Sequence, residues 1–198
     1  MCTNYAAVGL LNEWAEAHER FLGRRLRLPF NASNMTWKQD LWPKYEGMFV
    51  RPVDAADPSG DLEPVVGRWG LIPSKHKTAA KEFKLSTHNA RSETMAKSWS
   101  FERAFAKRRC VIPASWLIES TGPKGAMTKH RISRAEGGPL FLAGLWDRAE
   151  LPEGPMESYT MVMQEAVEGD DMRPFHSRQP VFLTAENVGT WLNPTADV

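Results

Sequence analysis

Seven short strand-like runs, none longer than nine residues and all but the polar Thr128–Ser133 largely apolar, restrict the fold of this chain more than any other feature. They are Met48–Val53, Pro64–Ile72, Cys110–Ile118, Thr128–Ser133, Leu140–Asp147, Tyr159–Gln164 and Val181–Leu183. Runs of this length, rich in branched and aromatic residues and bounded by turn formers such as those in Asp54–Asp61, read as strands. Only three segments carry helical spacing. Leu10–Leu22 places Leu10, Leu11, Trp14, His18, Phe21 and Leu22 on one face, Ser92–Lys107 opens on Ser92 as a cap, and Thr184–Leu192 opens on Thr184. Residues 28–47 read as irregular, and 74–88 as a polar, basic loop. No linker divides the 198 residues. The expectation is one domain over 1–198, of the α+β class, with a curved, barrel-like, mainly antiparallel sheet flanked by a few helices.

Charge is uneven. The net charge is +1, yet Arg68 to Arg109 holds eleven basic residues against three acids. Interleaved with Trp69, Phe83, Trp99, Phe101 and Phe105, this block suits a polyanion with stackable bases. It reads just as well as a solvated face whose aromatics point inward. No apolar run approaches the roughly 20 residues that span a bilayer, and no basic region and apolar core form a secretory signal. Two cysteines make no disulfide framework, so a reducing, cytoplasmic location is expected, nucleoid-associated in a bacterium, with the protein a monomer. His76, His88 and His130 have no partners at metal-ligand spacing, and Cys2 with Cys110 makes no zinc pattern. No metal and no cofactor are expected.

Cys2 follows Met1 directly. Loss of Met1, expected before a small residue, would give Cys2 an α-amine and a thiol on adjacent carbons. The amine, with a pKa of about 7.7–8.0, is partly neutral near pH 7. Amines convert aldehydes to imines, and a neighbouring thiol closes the imine into a five-membered ring. Position alone leaves open a chance residue on a frayed end, since free Cys is more often a small buried hydrophobe.

Four further segments accompany Met1-Cys2: Trp69-Gly70-Leu71-Ile72-Pro73, Asn89-Ala90-Arg91-Ser92-Glu93-Thr94, Arg109-Cys110-Val111-Ile112-Pro113-Ala114 running on to Glu119, and His176-Ser177-Arg178-Gln179-Pro180. In this order the chain resembles the SOS-response-associated peptidase (SRAP) family, whose members crosslink to abasic sites in single-stranded DNA. The resemblance implies that Cys2 is the nucleophile, capturing the ring-opened sugar aldehyde as a thiazolidine. It implies that Asn89 orients the α-amine and a sugar oxygen, and that Glu119 moves protons during ring opening and imine formation. His176 would transfer a proton or bond the sugar hydroxyl. Arg91 would hold a backbone phosphate, with Trp69, Asn4 and Arg109 as further DNA contacts. Read alone, Asn89 is also a turn former, Glu119 a strand-end carboxylate, and Arg178 a structural residue.

The chain departs from the family pattern in three places. Thr3-Asn4 stands where Gly-Arg is usual. Ser115-Trp116, Leu117-Ile118 and Ser120 replace an Asp-Gly, an aromatic pair and a Trp around Glu119, and Met163 and Gln164 stand where a Thr is expected. Two other readings remain: a cysteine peptidase or amidohydrolase using Cys2 with His176 and Glu119, and a non-catalytic single-strand-binding module.

Overall fold

The computed structural model describes residues 3–9, 15, 19–28, 37–54, 57, 59–123, 125–196 and 198. Cys2 and most of the 10–22 segment lie outside the described residues; 19–22 are helical. Ten strands form one sheet: β1 Asn4–Ala7, β2 Asp40–Leu41, β3 Glu46–Pro52, β4 Leu62–Trp69, β5 Asn89–Arg91, β6 Arg109–Thr121, β7 Thr128–Ile132, β8 Leu140–Leu151, β9 Gly154–Glu165 and β10 Arg178–Pro180. Among the described residues, and besides the helical 19–22, three short α-helices are numbered α1 Ser92–Met95, α2 Glu102–Lys107 and α3 Val188–Leu192. The chain is a single α+β domain. No described helix is long and apolar enough to cross a membrane.

Five strands close on themselves in the order β3-β4-β9-β8-β6 and back to β3. Pairing is antiparallel except where β4 and β5 run parallel to β9. Closure explains the apolar runs. Along β6, Cys110, Ile112 and Ala114 point into the barrel, while Val111 points out toward a second cluster that holds Trp191 and Leu192 of α3. Along β8, Leu140 and Leu142 point in while Phe141, Ala143 and Leu145 point out. With both faces buried, polar alternation has no place to appear. Gly144 occupies an inward position, where a Cβ would collide with Ile112 and Cys110. Inside the barrel, the hydroxyls of Tyr5 and Tyr159 share a hydrogen bond of 2.5 Å. Burial pushes the Tyr159 phenol and the Cys110 thiol well above their ordinary pKa ranges, so both stay neutral.

Several expectations are corrected. The helix expected over 92–107 is two helices, α1 and α2, separated by a turn in which the Phe101 N–H donates to the Ser98 carbonyl. Ser92 does not cap; Arg91 holds that position, with no side-chain bond. The strand expected over 181–183 lies three residues earlier, as β10, and only Phe182 bridges onward to Leu142. Asn187, not Thr184, is the N-cap of α3, and its Oδ1 accepts the Thr184 N–H at 2.8 Å. Residues 89–91, read as a motif outside any strand, are β5.

Candidate active site

A closed series of strand pairings, side-chain contacts and sequence neighbours links Asn4, Glu119, His176, Asn89, Arg91 and Trp69. It starts at β1, where Asn4 pairs with Ile118 and so lies beside Glu119. Across the next ladder Glu119 faces His130 of β7, and His130 Nε2 bonds Thr121 Oγ1 at 2.7 Å. The His130 ring meets Phe175 at 4.8 Å, next in sequence to His176. His176 Nδ1 accepts the Arg178 N–H at 2.9 Å, and Arg178 Nη2 reaches both Glu93 oxygens at 2.8 and 2.6 Å. Arg178 Nη2 also approaches the Met163 carbonyl, so it ties β9 and β10 to α1, just after β5. Asn89 and Arg91 stand on β5, pairing with Met161 and Met163 on the opposite edge of β9 from β10. His88, beside Asn89, meets the Trp69 ring at 5.7 Å, and Trp69 meets Tyr5 of β1 at 5.0 Å, which closes the ring.

Three titratable groups on this ring share an electrostatic pattern. Glu119 is 4% exposed, and its Oε1 has no hydrogen-bond partner among the described residues. Burial pushes its carboxyl above the usual range, opposed by the positive charge of the amino terminus. Burial holds His88 below the ordinary imidazole value, and the amino-terminal charge lowers it further. The same two causes, in the same order, lower His176. The ring therefore offers a protonatable carboxyl and two imidazoles that stay neutral at pH 7.

The hydrogen bond at His176 fixes its tautomer. Nδ1 must present a lone pair to the Arg178 N–H, so the ring proton sits on Nε2. Neutral His176 is thus an N–H donor at Nε2.

Three of the residues expected to contact DNA are buried. Trp69 is fully buried, and its Nε1–H donates to the His88 carbonyl at 2.8 Å, so it has no open face for a base. Arg109 is 5% exposed and donates to the carbonyls of Phe105, Asn193 and Ala196, pinning the C-terminal segment to β6. Asn4 is also buried; its Nδ2 donates to Asp40 Oδ1 at 2.7 Å and to the Leu41 carbonyl, which anchors β1 to β2. Arg91 alone of the four is exposed, and it joins no ion pair among the described residues. Within the basic block, Arg68, Lys75, Lys84, Arg108 and Arg109 are engaged by carbonyls or carboxylates. The other six cations are exposed and outside every ion pair among the described residues. Of its five aromatics, Trp69, Phe83 and Phe101 are buried, Phe105 packs against the core, and Trp99 is open.

In the sequence, His88 and His130 were weighed only as metal ligands and were not placed with the site. His88 could have been placed there from its position before Asn89. His130 could not, because only the β6–β7 register brings it opposite Glu119.

A profile of the SOS response associated peptidase (SRAP) family matches residues 1–198, and the chain belongs to that family. It is 36% identical over 130 residues to the abasic site processing protein YoqW of Bacillus subtilis, covering 64% of this chain and 56% of that one. It is 30% identical over 149 residues to the abasic site processing protein HMCES of Gallus gallus, covering 64% and 44%. The chain spans about half the length of the curated relatives it matches. A crystal structure of a Bordetella bronchiseptica protein superposes with a TM-score of 0.77 at 32% identity, over 96% of this chain and 88% of that one. A Bacteroides thetaiotaomicron protein gives 0.76 at 20% identity, over 99% and 83%, a likeness of fold.

Proposed function

We propose that this protein captures abasic sites in single-stranded DNA as a covalent thiazolidine, through Cys2 after loss of Met1. One observation carries the reading: the buried carboxyl of Glu119, with an oxygen that no described residue satisfies, lies beside the start of β1. Cys2 is two residues from Asn4, within about 7 Å by chain reach. A carboxyl whose pKa burial raises, at that place, is suited to give a proton to a reacting sugar. The names of the relatives, abasic site processing proteins, support the same substrate.

In the proposed chemistry the Cys2 amine adds to C1 of the ring-opened sugar, and the carbinolamine loses water to give an imine. The thiol sulfur then adds to the imine carbon while its proton passes to nitrogen. Two bonds to carbon form, C–N and C–S, and the aldehyde oxygen leaves as water. Glu119 supplies the proton to that departing oxygen. His176 donates from Nε2 to a sugar hydroxyl, Asn89 orients the amine, and Arg91 takes a phosphate. The partner is a DNA strand with its lesion, and one copy of the chain suffices.

The tautomer of His176 supports this reading over a cysteine peptidase. A peptidase needs the imidazole to accept the thiol proton, but Nδ1 is engaged by Arg178 and Nε2 already bears hydrogen. The test is direct. The protein is incubated with a single-stranded oligonucleotide carrying one abasic site and run on a denaturing gel. A shifted band that survives denaturation is expected, with Met1 absent by mass spectrometry; no band, or a band from protein that retains Met1, overturns the proposal.

A further inference from the structure

We propose that Trp99 is a base-stacking platform that grips the DNA strand a few nucleotides from the lesion. The inference rests on the reading of single-stranded DNA as substrate and adds a contact to it. Trp99 lies between α1 and α2, and half of the residue, 51%, is exposed. Leaving an indole in water forfeits the burial that drives most aromatics inward, and the other aromatics of the basic block do pack inward.

The indole is held rather than loose. Lys75 Nζ lies 4.4 Å from the ring centroid, and the same ammonium pairs with Glu102 of α2 at 2.9 Å. The residue before Lys75 is fixed too, since the Ser74 N–H donates to buried Asp147 at 2.8 Å. A cation over one part of the ring leaves the remaining π surface open for a base.

The surroundings choose the occupant. Lys77 lies two residues beyond Lys75, Lys97 two before Trp99, and Arg103 beside Glu102, and all three are exposed and outside the ion pairs among the described residues. An open aromatic with Lys75 on its ring and these cations close by in sequence, with Glu102 as the near carboxylate, matches a base attached to phosphates and repels a basic peptide. Lys75 stands six positions along the chain from Trp69 of the site ring, a reach of at most about 20 Å. A strand lying on Trp99 therefore extends only a few nucleotides beyond the lesion. Every base has a π face, so this grip is tolerant of sequence.

The test uses two probes without a reactive sugar: an oligothymidylate of about twelve nucleotides, and a strand of equal length built from tetrahydrofuran spacers that lack bases. Binding is followed by fluorescence anisotropy over a salt series. The parent protein is expected to prefer the base-bearing strand by about tenfold, the effect typical of one stacked base. Trp99→Ala should lose that preference with its salt slope unchanged and its thermal melt close to the parent's, whereas Trp99→Phe should keep most of it. A parent that shows no preference, or Trp99→Ala that keeps it, overturns the platform alone and leaves covalent capture standing. A parent that binds neither strand overturns both.

Discussion

The main-chain N–H of Arg178 donates to Nδ1 of His176 at 2.9 Å, while the guanidinium of the same Arg178 grips Glu93. A backbone bond to one ring nitrogen orients the imidazole and leaves its proton on the other. Burial keeps the ring neutral. These contacts make His176 a fixed hydrogen-bond donor, and the Arg178–Glu93 pair ties it to α1, just after the strand that presents Asn89 and Arg91.

His176→Ala should slow crosslinking by about 10²-fold, within the range for a group that assists proton movement, with little change in binding to an undamaged strand. His176→Gln should recover part of the rate, because its amide can still donate. The sign of the pH effect follows from the depressed pKa. Neutral His176 favours the folded state above about pH 6.5, and that contribution fades as pH falls through its lowered value. Single-turnover rates of the two variants, and melts of parent and His176→Gln between pH 8 and 5, check both parts. Equal rates for parent and His176→Ala would remove His176 from the mechanism.

Glu119 gives the opposite sign. Its pKa is raised by burial, so ionising it costs the folded state stability. The parent should be most stable relative to Glu119→Gln below about pH 4.5, and the variant should gain as pH rises. Near pH 7.5 Glu119→Gln should melt higher than the parent, by about 2–4 °C for each kcal/mol recovered, yet crosslink 10²–10⁴-fold more slowly. A variant that gains stability and keeps the parent rate would make Glu119 a buried acid with no part in the chemistry.

The strands that form the barrel were legible because burial on both faces writes continuous apolar runs. β3, β4, β6, β8 and β9 all stand where those runs lie. The elements that the sequence did not reveal have a common cause. β1, β2, β5 and β10 are two to four residues long, and their pairing depends on distant partners such as Met161 for Asn89. A three-residue strand reading Asn-Ala-Arg carries no periodicity. The break within 92–107 was equally hidden, since Ser98 and Ser100 are tolerated in a helix and the turn is set by burial of Phe101.

The motif residues were legible as a set, but the direction of each side chain was not. Trp69 and Arg109 sit in the motif segments, buried and bonded to main-chain carbonyls. An Arg at the start of a strand carries the same letter whether it meets phosphate or, as here, the carbonyls of Asn193 and Ala196. The basic block reads as one surface in the sequence, although five of its members make internal bonds.

Those two residues should therefore behave as structural in mutagenesis. Trp69→Ala is expected to cost about 3–5 kcal/mol by cavity formation. Arg109→Ala should cost about 1–3 kcal/mol through the buried carbonyls it abandons. Urea melts measure both. A near-neutral effect on stability, paired with a large loss of DNA affinity, would return either residue to the DNA surface.

Arg91→Glu should weaken binding to undamaged single strands and reduce the salt slope by about one unit for each phosphate it no longer neutralises. The exposed guanidinium at the end of β5 motivates this, since it joins no ion pair among the described residues. At saturating DNA the crosslinking rate should stay near the parent's, because Arg91 holds the strand rather than moving protons. Affinity titrations at several salt concentrations decide it; an unchanged slope would mean that Arg91 meets no phosphate.

Cys2 allows the sharpest separation of the two nucleophiles. Cys2→Ala keeps an α-amine once Met1 is removed but lacks the thiol. It can form an imine, which water reverses, so no denaturation-resistant band should accumulate, while weak, salt-sensitive binding remains. Borohydride added during the reaction should trap that imine and restore a band. Cys2→Ser should behave similarly, because a hydroxyl closes the ring less favourably than a thiol. Blocking Met1 removal with a bulky residue at position two should abolish both the stable and the trapped adduct, since the aminothiol never forms and the amine is displaced by a residue. A stable adduct at normal yield from Cys2→Ala on a denaturing gel would assign the covalent bond to another side chain.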